Sequence, residues 1–285
     1  MPLPTGRTLV MGVLNVTADS FSDGGRWLDA DAAVAHGLAL VEQGADLVDV
    51  GGESTRPGAE RVPEDEELDR VVPVVRALAE RGVAVSVDTM RASVAAAAID
   101  AGARIVNDVS GGLADPAMFD VVAATGVDYV LMHWRGHSSV MSQAARYDDV
   151  VADVTAELLA QRDAALAAGV PGERIILDPG LGFAKTWDHN WTLLRHLDSF
   201  MGLGHRVLVG ASRKAFLGEL LGGREPIGRD GATAALSFWC ALHDVWAVRT
   251  HDVTGQADAI SVARRLLRER QWDAAAGPAR PDAVG

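Results

Sequence analysis

The sequence predicts an α/β fold, a single-domain (β/α)8 barrel of the TIM type, from three observations. Eight short runs rich in β-branched residues recur along the 285 residues, and a segment with helical spacing follows each of them. The runs are almost continuously apolar, which is typical of parallel strands that are covered on both faces. No linker rich in Pro, Gly or Ser divides the chain. Alternation of this length favours a closed barrel, and an open doubly wound sheet is the alternative.

The predicted elements alternate in order from the first strand to the last helix. In the clearest helices, apolar residues recur at every third or fourth position, and glycine often follows, where a left-handed residue ends a helix. We expect strands at 9–16, 47–51, 83–88, 104–109, 128–133, 174–178, 206–210 and 247–252, and the clearest helices at 32–41, 68–78, 94–101 and 151–166. Residues 1–273 then form the barrel. Residues 274–285 are rich in Ala, Pro and Gly, so we expect a disordered tail there.

Charge and cysteine content exclude several classes of protein. The chain has 26 basic and 39 acidic residues, and its net charge of −13 argues against a sequence-independent nucleic-acid binder or a protein of anionic membrane surfaces. The single cysteine, Cys240, excludes an internal disulfide framework and a cysteine-based zinc site. No stretch reaches the roughly 18 apolar residues of a membrane span. We therefore expect a soluble, cytoplasmic protein without nucleic-acid or membrane partners.

Polar residues end every predicted strand, and in a (β/α)8 barrel this edge carries the active site. Asp88, Asn107 and Asp178 are the most informative of them. A lone aspartate or asparagine at a strand end more often caps the next helix, but Pro179 and Gly180 follow Asp178 and argue against a simple cap there. Two carboxylates and an amide around one pocket suit the N–H edge of a flat amino-pyrimidine.

Basic residues gather near the same edge. This cluster comprises Arg56, Arg213, Lys214, Arg249 and His251, and nearby glycines let backbone N–H groups approach an anion. In a chain of negative net charge, such a cluster favours binding of phosphate or pyrophosphate.

Metal ligation is expected to be limited. Asn15 offers a neutral oxygen that could hold Mg²⁺ already carried by phosphate oxygens, which is a common way for proteins to bind this ion. His133 and His137 are four residues apart, but the segment between them is not expected to be helical, so a zinc site there is disfavoured.

Eight motifs spread over nearly the whole chain are more specific. They are MGVLNVT at 11–17, DSFSDGG at 19–25, DVGGESTRPG at 49–58, SVDT at 86–89, NDVSGG at 107–112, DPGLGFAK at 178–185, SRK at 212–214 and RTHD at 249–252. In kind and order they resemble the dihydropteroate synthase family of the pterin-binding barrel superfamily. One departure is Ala18, where that family often has proline, so the first loop loses a residue of fixed φ.

The resemblance implies a condensation of 6-hydroxymethyl-7,8-dihydropterin pyrophosphate with 4-aminobenzoate, which gives 7,8-dihydropteroate and pyrophosphate with Mg²⁺ as cofactor. It implies that Asn15 holds the metal and that catalysis depends on Asp23, Lys214, Arg249 and His251. The implied pterin residues are Asp88, Asn107, Met132, Asp178, Lys214 and Arg249. The implied aminobenzoate residues are Phe21, Thr55, Arg56, Pro57, Phe183 and Ser212.

The resemblance also implies a homodimer, to which an apolar late helix such as 234–242 could supply the interface. Three other functions stay open. A methyltetrahydrofolate-binding methyltransferase barrel shares the pterin pocket but is not expected to carry the motifs at 55–58 and 212–214. A phosphate-binding isomerase or lyase explains the basic cluster but not the two carboxylates and the amide. A catalytically silent pterin-binding paralogue predicts loss of motif residues, yet the motifs are intact.

Overall fold

The structure, a computed structural model, describes residues 3–17, 26–53, 61–136 and 144–276. Within these ranges, eight strands alternate with α-helices along the chain. The strands are β1 (Leu9–Asn15), β2 (Leu47–Gly51), β3 (Val85–Asp88), β4 (Ile105–Asp108), β5 (Asp128–Met132), β6 (Ile175–Asp178), β7 (Arg206–Val209) and β8 (Ala247–Thr250). The helices are α1 (Arg26–Glu42), α2 (Glu64–Glu80), α3 (Ala92–Asp100), α4 (Met118–Thr125), α5 (Val150–Ala167), α6 (Trp187–Arg195), α7 (Leu197–Met201), α8 (Ala215–Leu220), α9 (Asp230–Leu242) and α10 (Val253–Ala276).

The eight strands form a closed barrel in sequence order. Every pairing is parallel, and β1 pairs with β8, with Leu9 opposite Ala247. The predicted (β/α)8 barrel is confirmed, and the alternative of an open doubly wound sheet is wrong because the first and last strands are hydrogen-bonded to each other.

Two apolar layers hold the barrel together. The inner one consists of alternate strand residues that fill the amino-terminal half of the barrel: Leu9, Met11, Leu47, Ile105, Val130, Ile176, Leu208 and Ala247. The residues between them, such as Val10, Val48 and Val106, face the helices and join the larger outer core. Each such side chain contributes roughly 1.5 to 3 kcal/mol when it is fully buried.

The same alternation determines where the polar strand ends lie. Side chains two positions apart share a face of a strand, so Asp88, Asn107 and Asp178 point to the barrel interior above the inner apolar layer. The register then sets them level with their neighbours: Gly51 lies opposite Asp88, Asp88 opposite Asn107, and Met132 opposite Asp178. The carboxyl end of the barrel therefore carries a polar ring above an apolar base.

Two details differ from the expectations. The last helix runs to Ala276, so the first three residues of the expected tail are helical here, while 277–285 lie outside the described ranges. The eighth strand ends at Thr250, so His251 belongs to the turn that follows it. Within the described ranges, no helix combines the length and apolar character needed to cross a bilayer.

Candidate active site

An arginine bridges two carboxylates inside the carboxyl end of the barrel. The Nε atom of Arg249 donates to Oδ2 of Asp49 at 2.6 Å, and its Nη2 donates to Oδ2 of Asp88 at 2.7 Å. Asn107 donates its Nδ2 to the same Asp49 oxygen at 2.9 Å. Strands β2, β3, β4 and β8 each supply one member, so the barrel itself positions this cluster.

Burial dominates the electrostatics of the cluster. Desolvation raises the pKa of Asp88 from 3.8 to about 7, Arg249 opposes this increase, and the charge of Asp49 adds to it. Asp49 has no exposed surface, and its Oδ1 atom lacks a hydrogen-bond partner among the described residues. Buried carboxyl oxygens without a partner are costly, so this corner of the barrel is suited to a ligand that presents N–H groups.

Asp178 and Lys214 form the opposite side of the ring. Asp178 ends β6, is 6% exposed and accepts a hydrogen bond from the backbone N–H of Gly180 at 2.7 Å. Burial raises its pKa, and Lys214 is the strongest opposing influence. Burial also lowers the pKa of Lys214 to about 8, with Asp178 opposing. Each group therefore stabilises the charged form of the other.

The loop after β6 requires glycine at Gly180 and Gly182. Gly180 has φ +69°, and a Cβ atom there would lie 2.4 Å from the carbonyl oxygen of His133. At Gly182, with φ +79°, a Cβ atom would lie 3.0 Å from Cδ of Lys214. The loop passes close to both neighbours and brings the ring of Phe183 to 4.6 Å from Nζ of Lys214, a cation–π contact.

Ser212 and His251 lie next to the polar ring at the carboxyl end of the barrel. The Ser212 hydroxyl is 3.0 Å from Nδ1 of His251 and accepts a hydrogen bond from the backbone N–H of His251 at 3.1 Å. Thr250 donates its hydroxyl to the same oxygen at 3.3 Å. The turns after β7 and β8 thus hold the His251 imidazole beside the carboxyl end of β8, the strand that carries Arg249.

Asn15 ends β1 and is partly exposed at the carboxyl edge of the barrel. Among the described residues, no group of three or more His, Cys, Asp or Glu side chains is placed to hold a metal ion. The side-chain oxygen of Asn15 is a single neutral donor, which fits a hard divalent cation that takes most of its ligands from water or substrate phosphate. The chemistry of Asn15 is compatible with Mg²⁺ carried by a diphosphate.

The expected residues divide into three groups. Asp88, Asn107, Met132, Asp178, Lys214, Arg249, Phe183, Ser212, His251 and Asn15 all lie at or beside the carboxyl end of the barrel. Arg213, expected in the basic cluster, is paired with Asp230 through Nε and Nη2, both at 2.7 Å. Phe21, Asp23, Thr55, Arg56 and Pro57 lie outside the described residues, as does His137.

Sequence reasoning missed two residues of the site. Asp49 interrupts the otherwise apolar strand β2, and a lone carboxylate at an inward position of a parallel strand is the signal that could have found it. Lys185 was read only as part of a motif, yet its Nζ lies 3.0 Å from Nδ1 of His133. The site therefore contains three acidic side chains of the barrel wall, Asp49, Asp88 and Asp178, and three basic ones, Lys185, Lys214 and Arg249.

A barrel with this ring at its carboxyl end belongs to the class of pterin-binding enzymes: the family described as pterin binding enzyme matches residues 11–251. Dihydropteroate synthase of Mycobacterium leprae (strain TN) is 58% identical over 264 residues, which cover 90% of this chain and 93% of that relative. Dihydropteroate synthase of Bacillus subtilis (strain 168) is 46% identical, with 87% of this chain and 84% of the relative covered.

Solved structures agree with these relatives. Xanthomonas albilineans dihydropteroate synthase with 4-aminobenzoic acid matches with a TM-score of 0.85 and 45% identity, covering 92% of this chain and 93% of that one. The same organism's enzyme in complex with 7,8-dihydropteroate matches with a TM-score of 0.83 and 43% identity, over 92% and 94% of the two chains. The chain belongs to the dihydropteroate synthase family, transferases of folate synthesis.

Proposed function

We propose that this chain condenses 6-hydroxymethyl-7,8-dihydropterin pyrophosphate with 4-aminobenzoate to give 7,8-dihydropteroate and pyrophosphate. The observation that carries this proposal is the polar ring of Asp88, Asn107 and Asp178, with Asp49 and Lys214 beside it. The related enzymes match over nearly the full length, and none of those compared above is a methyltransferase or an isomerase.

We assign the pterin to the polar residues at the carboxyl end of the barrel. Its amino-pyrimidine edge presents adjacent N–H donors, and the carboxylates of Asp178 and Asp88 are acceptors at the barrel axis. Asn107 both donates and accepts, while Met132, 3% exposed and directed to the interior, supplies apolar contact beside Asp178. Lys214, held near Asp178, donates to an acceptor on the ring.

The leaving pyrophosphate is assigned to Arg249, His251 and Asn15. An aromatic amine is a weak nucleophile, so charge on the departing group must be stabilised as the C–O bond breaks. Arg249 and His251 supply N–H donors to that charge. Bound Mg²⁺, held by Asn15 and the substrate's own oxygens, would neutralise part of it. The amine nitrogen then forms the new C–N bond and loses one proton.

The aminobenzoate pocket is assigned to Phe183 and Ser212. The phenyl ring of Phe183, packed against Lys214, offers a flat apolar wall, and the Ser212 hydroxyl lies 3.0 Å from Nδ1 of His251. The proposal also includes Phe21, Thr55, Arg56 and Pro57 for the aminobenzoate and Asp23 for catalysis, all of which lie outside the described residues. Exclusion of water from the site during the reaction would protect the pterin methylene from capture.

We also propose a homodimer and a cytoplasmic location. Exposed apolar side chains between α8 and the end of α9 support a dimer: Leu220 is 59% exposed, Ile227 72% and Trp239 38%. Light scattering of the purified protein should give twice the chain mass. A monomeric mass at micromolar concentration would refute the dimer.

Product formation tests the proposed function. Purified protein, the pterin pyrophosphate, 4-aminobenzoate and Mg²⁺ should yield 7,8-dihydropteroate, identified by chromatography and mass. Asp178→Asn is the matched variant, because it keeps the side-chain volume while removing the charged acceptor; its product yield should fall at low pterin concentration. Absence of the product with active-site residues intact would contradict the proposal.

A further inference from the structure

The chain contains only two lysines, Lys185 and Lys214, against 24 arginines. Both lie at the candidate site near Asp178, whose charge opposes the lowering of both lysine pKa values. Lysine differs from arginine in presenting a compact ammonium with three donors rather than a planar fork. A sequence that otherwise uses arginine throughout keeps lysine only here, yet the proposed function assigns a role to Lys214 alone.

Lys185 joins the loop after β6 to the end of β5. Its Nζ donates to the carbonyl oxygen of Phe183 at 3.0 Å and lies 3.0 Å from Nδ1 of His133. His133 has no exposed surface, and its Nε2 lies 3.0 Å from Oε2 of Glu157. Burial, with Lys185 as the next cause, lowers the pKa of His133 to about 3. The neutral imidazole therefore donates from Nε2 to Glu157 and accepts at Nδ1 from Lys185.

The loop that Lys185 holds has a strained backbone, and side chains bind three of its carbonyls. Ala184 has φ 48°, a left-handed conformation that non-glycine residues keep only where surrounding contacts hold it. The carbonyls of Leu181, Phe183 and Ala184 accept from Lys214, Lys185 and Tyr147 respectively. Each of these side chains holds one point of the loop between Asp178 and α6, and Lys185 is the one bound to the Phe183 carbonyl itself.

We propose that Lys185 is a positioning residue for the condensation: by tying the Phe183 carbonyl to the His133 imidazole, it holds Phe183 in the aminobenzoate pocket. This inference rests on the proposed function. Lys185 acts through Phe183 and donates to no reacting atom.

The protonation behaviour of Lys185 is consistent with a positioning role. Burial lowers the pKa of Lys185 to about 7, Asp178 opposes the decrease, and Lys214, Arg135 and Glu157 act more weakly. Either protonation state of the Lys185 amine keeps N–H donors for both acceptors. The tie therefore persists across neutral pH, which distinguishes a positioning role from proton transfer.

Steady-state kinetics of Lys185→Met tests the proposal. The variant keeps an unbranched side chain but loses every donor, so the Phe183 carbonyl and His133 Nδ1 lose their partner. The KM for 4-aminobenzoate should rise at least about tenfold, because two hydrogen bonds of Lys185 are lost and each contributes roughly 1 kcal/mol, a factor of about five. The kcat at saturating aminobenzoate should stay within about threefold, because no reacting group is removed.

Tyr147→Phe is the matched control. It removes the donor to the neighbouring Ala184 carbonyl at 3.0 Å and leaves the Phe183 carbonyl tied, so the KM should change less than about threefold. If Lys185→Met does not fold, His133→Phe carries the test, because the phenyl ring keeps the side-chain volume but has no acceptor for Lys185, while Glu157 keeps its pair with Arg135.

The outcomes separate this inference from the proposed function. Turnover by the wild-type enzyme is the baseline that the proposed function requires. With that baseline met, a folded Lys185→Met enzyme with unchanged KM for aminobenzoate would overturn the positioning role. A loss confined to kcat would overturn it too, since Lys185 would then act on the reaction itself.

Discussion

Replacing Arg249 by methionine should destabilise the protein strongly, quite apart from any effect on catalysis. The guanidinium pairs with Asp49 at 2.6 Å and with Asp88 at 2.7 Å, and these carboxylates are 0% and 6% exposed. Removing one partner of a buried ion pair leaves an uncompensated charge and costs about 3 to 5 kcal/mol. Arg249→Met should lose about that much free energy of unfolding at neutral pH.

Urea denaturation measures this loss, and two further variants locate its cause. Arg213→Met breaks a bidentate pair whose side chains are 26% and 23% exposed, so it should cost no more than about 1 kcal/mol. Adding Asp49→Asn to Arg249→Met removes the fully buried charge and should restore roughly 1 kcal/mol or more. The reasoning is refuted if Arg249→Met costs no more than Arg213→Met, or if the second substitution restores nothing.

The remaining predictions concern the ligand and pH. Asp178→Asn should weaken binding of a pterin analogue by roughly 1.5 to 3 kcal/mol in calorimetry; unchanged affinity would remove Asp178 from the pterin site. His251→Ala should lower kcat/KM by at least about tenfold while leaving the affinity for a pterin without pyrophosphate unchanged; equal losses in both would contradict its assignment to the leaving group. Asp88 has a folded-state pKa raised from 3.8 to about 7, so its contribution to stability is complete below about pH 4 and is lost as pH rises to about 7. The stability of the wild type relative to Asp88→Asn should therefore fall over that range in urea titrations at several pH values, and a flat difference would show that Asp88 is ionised throughout.

Periodicity was sufficient to predict the barrel. Parallel strands buried on both faces leave a continuous apolar pattern, and the polar residue after each run is forced to the carboxyl edge by the fold itself. Asp88, Asn107 and Asp178 could be predicted as one cluster for this reason. The alternation of side chains along each strand, which directs them to the interior, needs only the strand assignment.

The partners of each charge could not be predicted in the same way. Arg213 and Lys214 are adjacent in sequence, yet one pairs with Asp230 at the start of α9 and the other reaches the Leu181 carbonyl. Their directions depend on the backbone after β7, where Arg213 has φ 59°, and that conformation has no clear sequence signature. Lys185 was missed because its role depends on two partners, on the β6 loop and at the end of β5, that only the folded chain brings together.

Release of pyrophosphate, measured with and without 4-aminobenzoate, tests the proposed condensation most directly. With the pterin pyrophosphate and Mg²⁺ present, aminobenzoate should accelerate release strongly, and one dihydropteroate should form for each pyrophosphate released. A phosphate-binding lyase or a silent paralogue would not respond to aminobenzoate. Pyrophosphate release that is independent of aminobenzoate, or no release at all from folded enzyme, would contradict the assigned reaction.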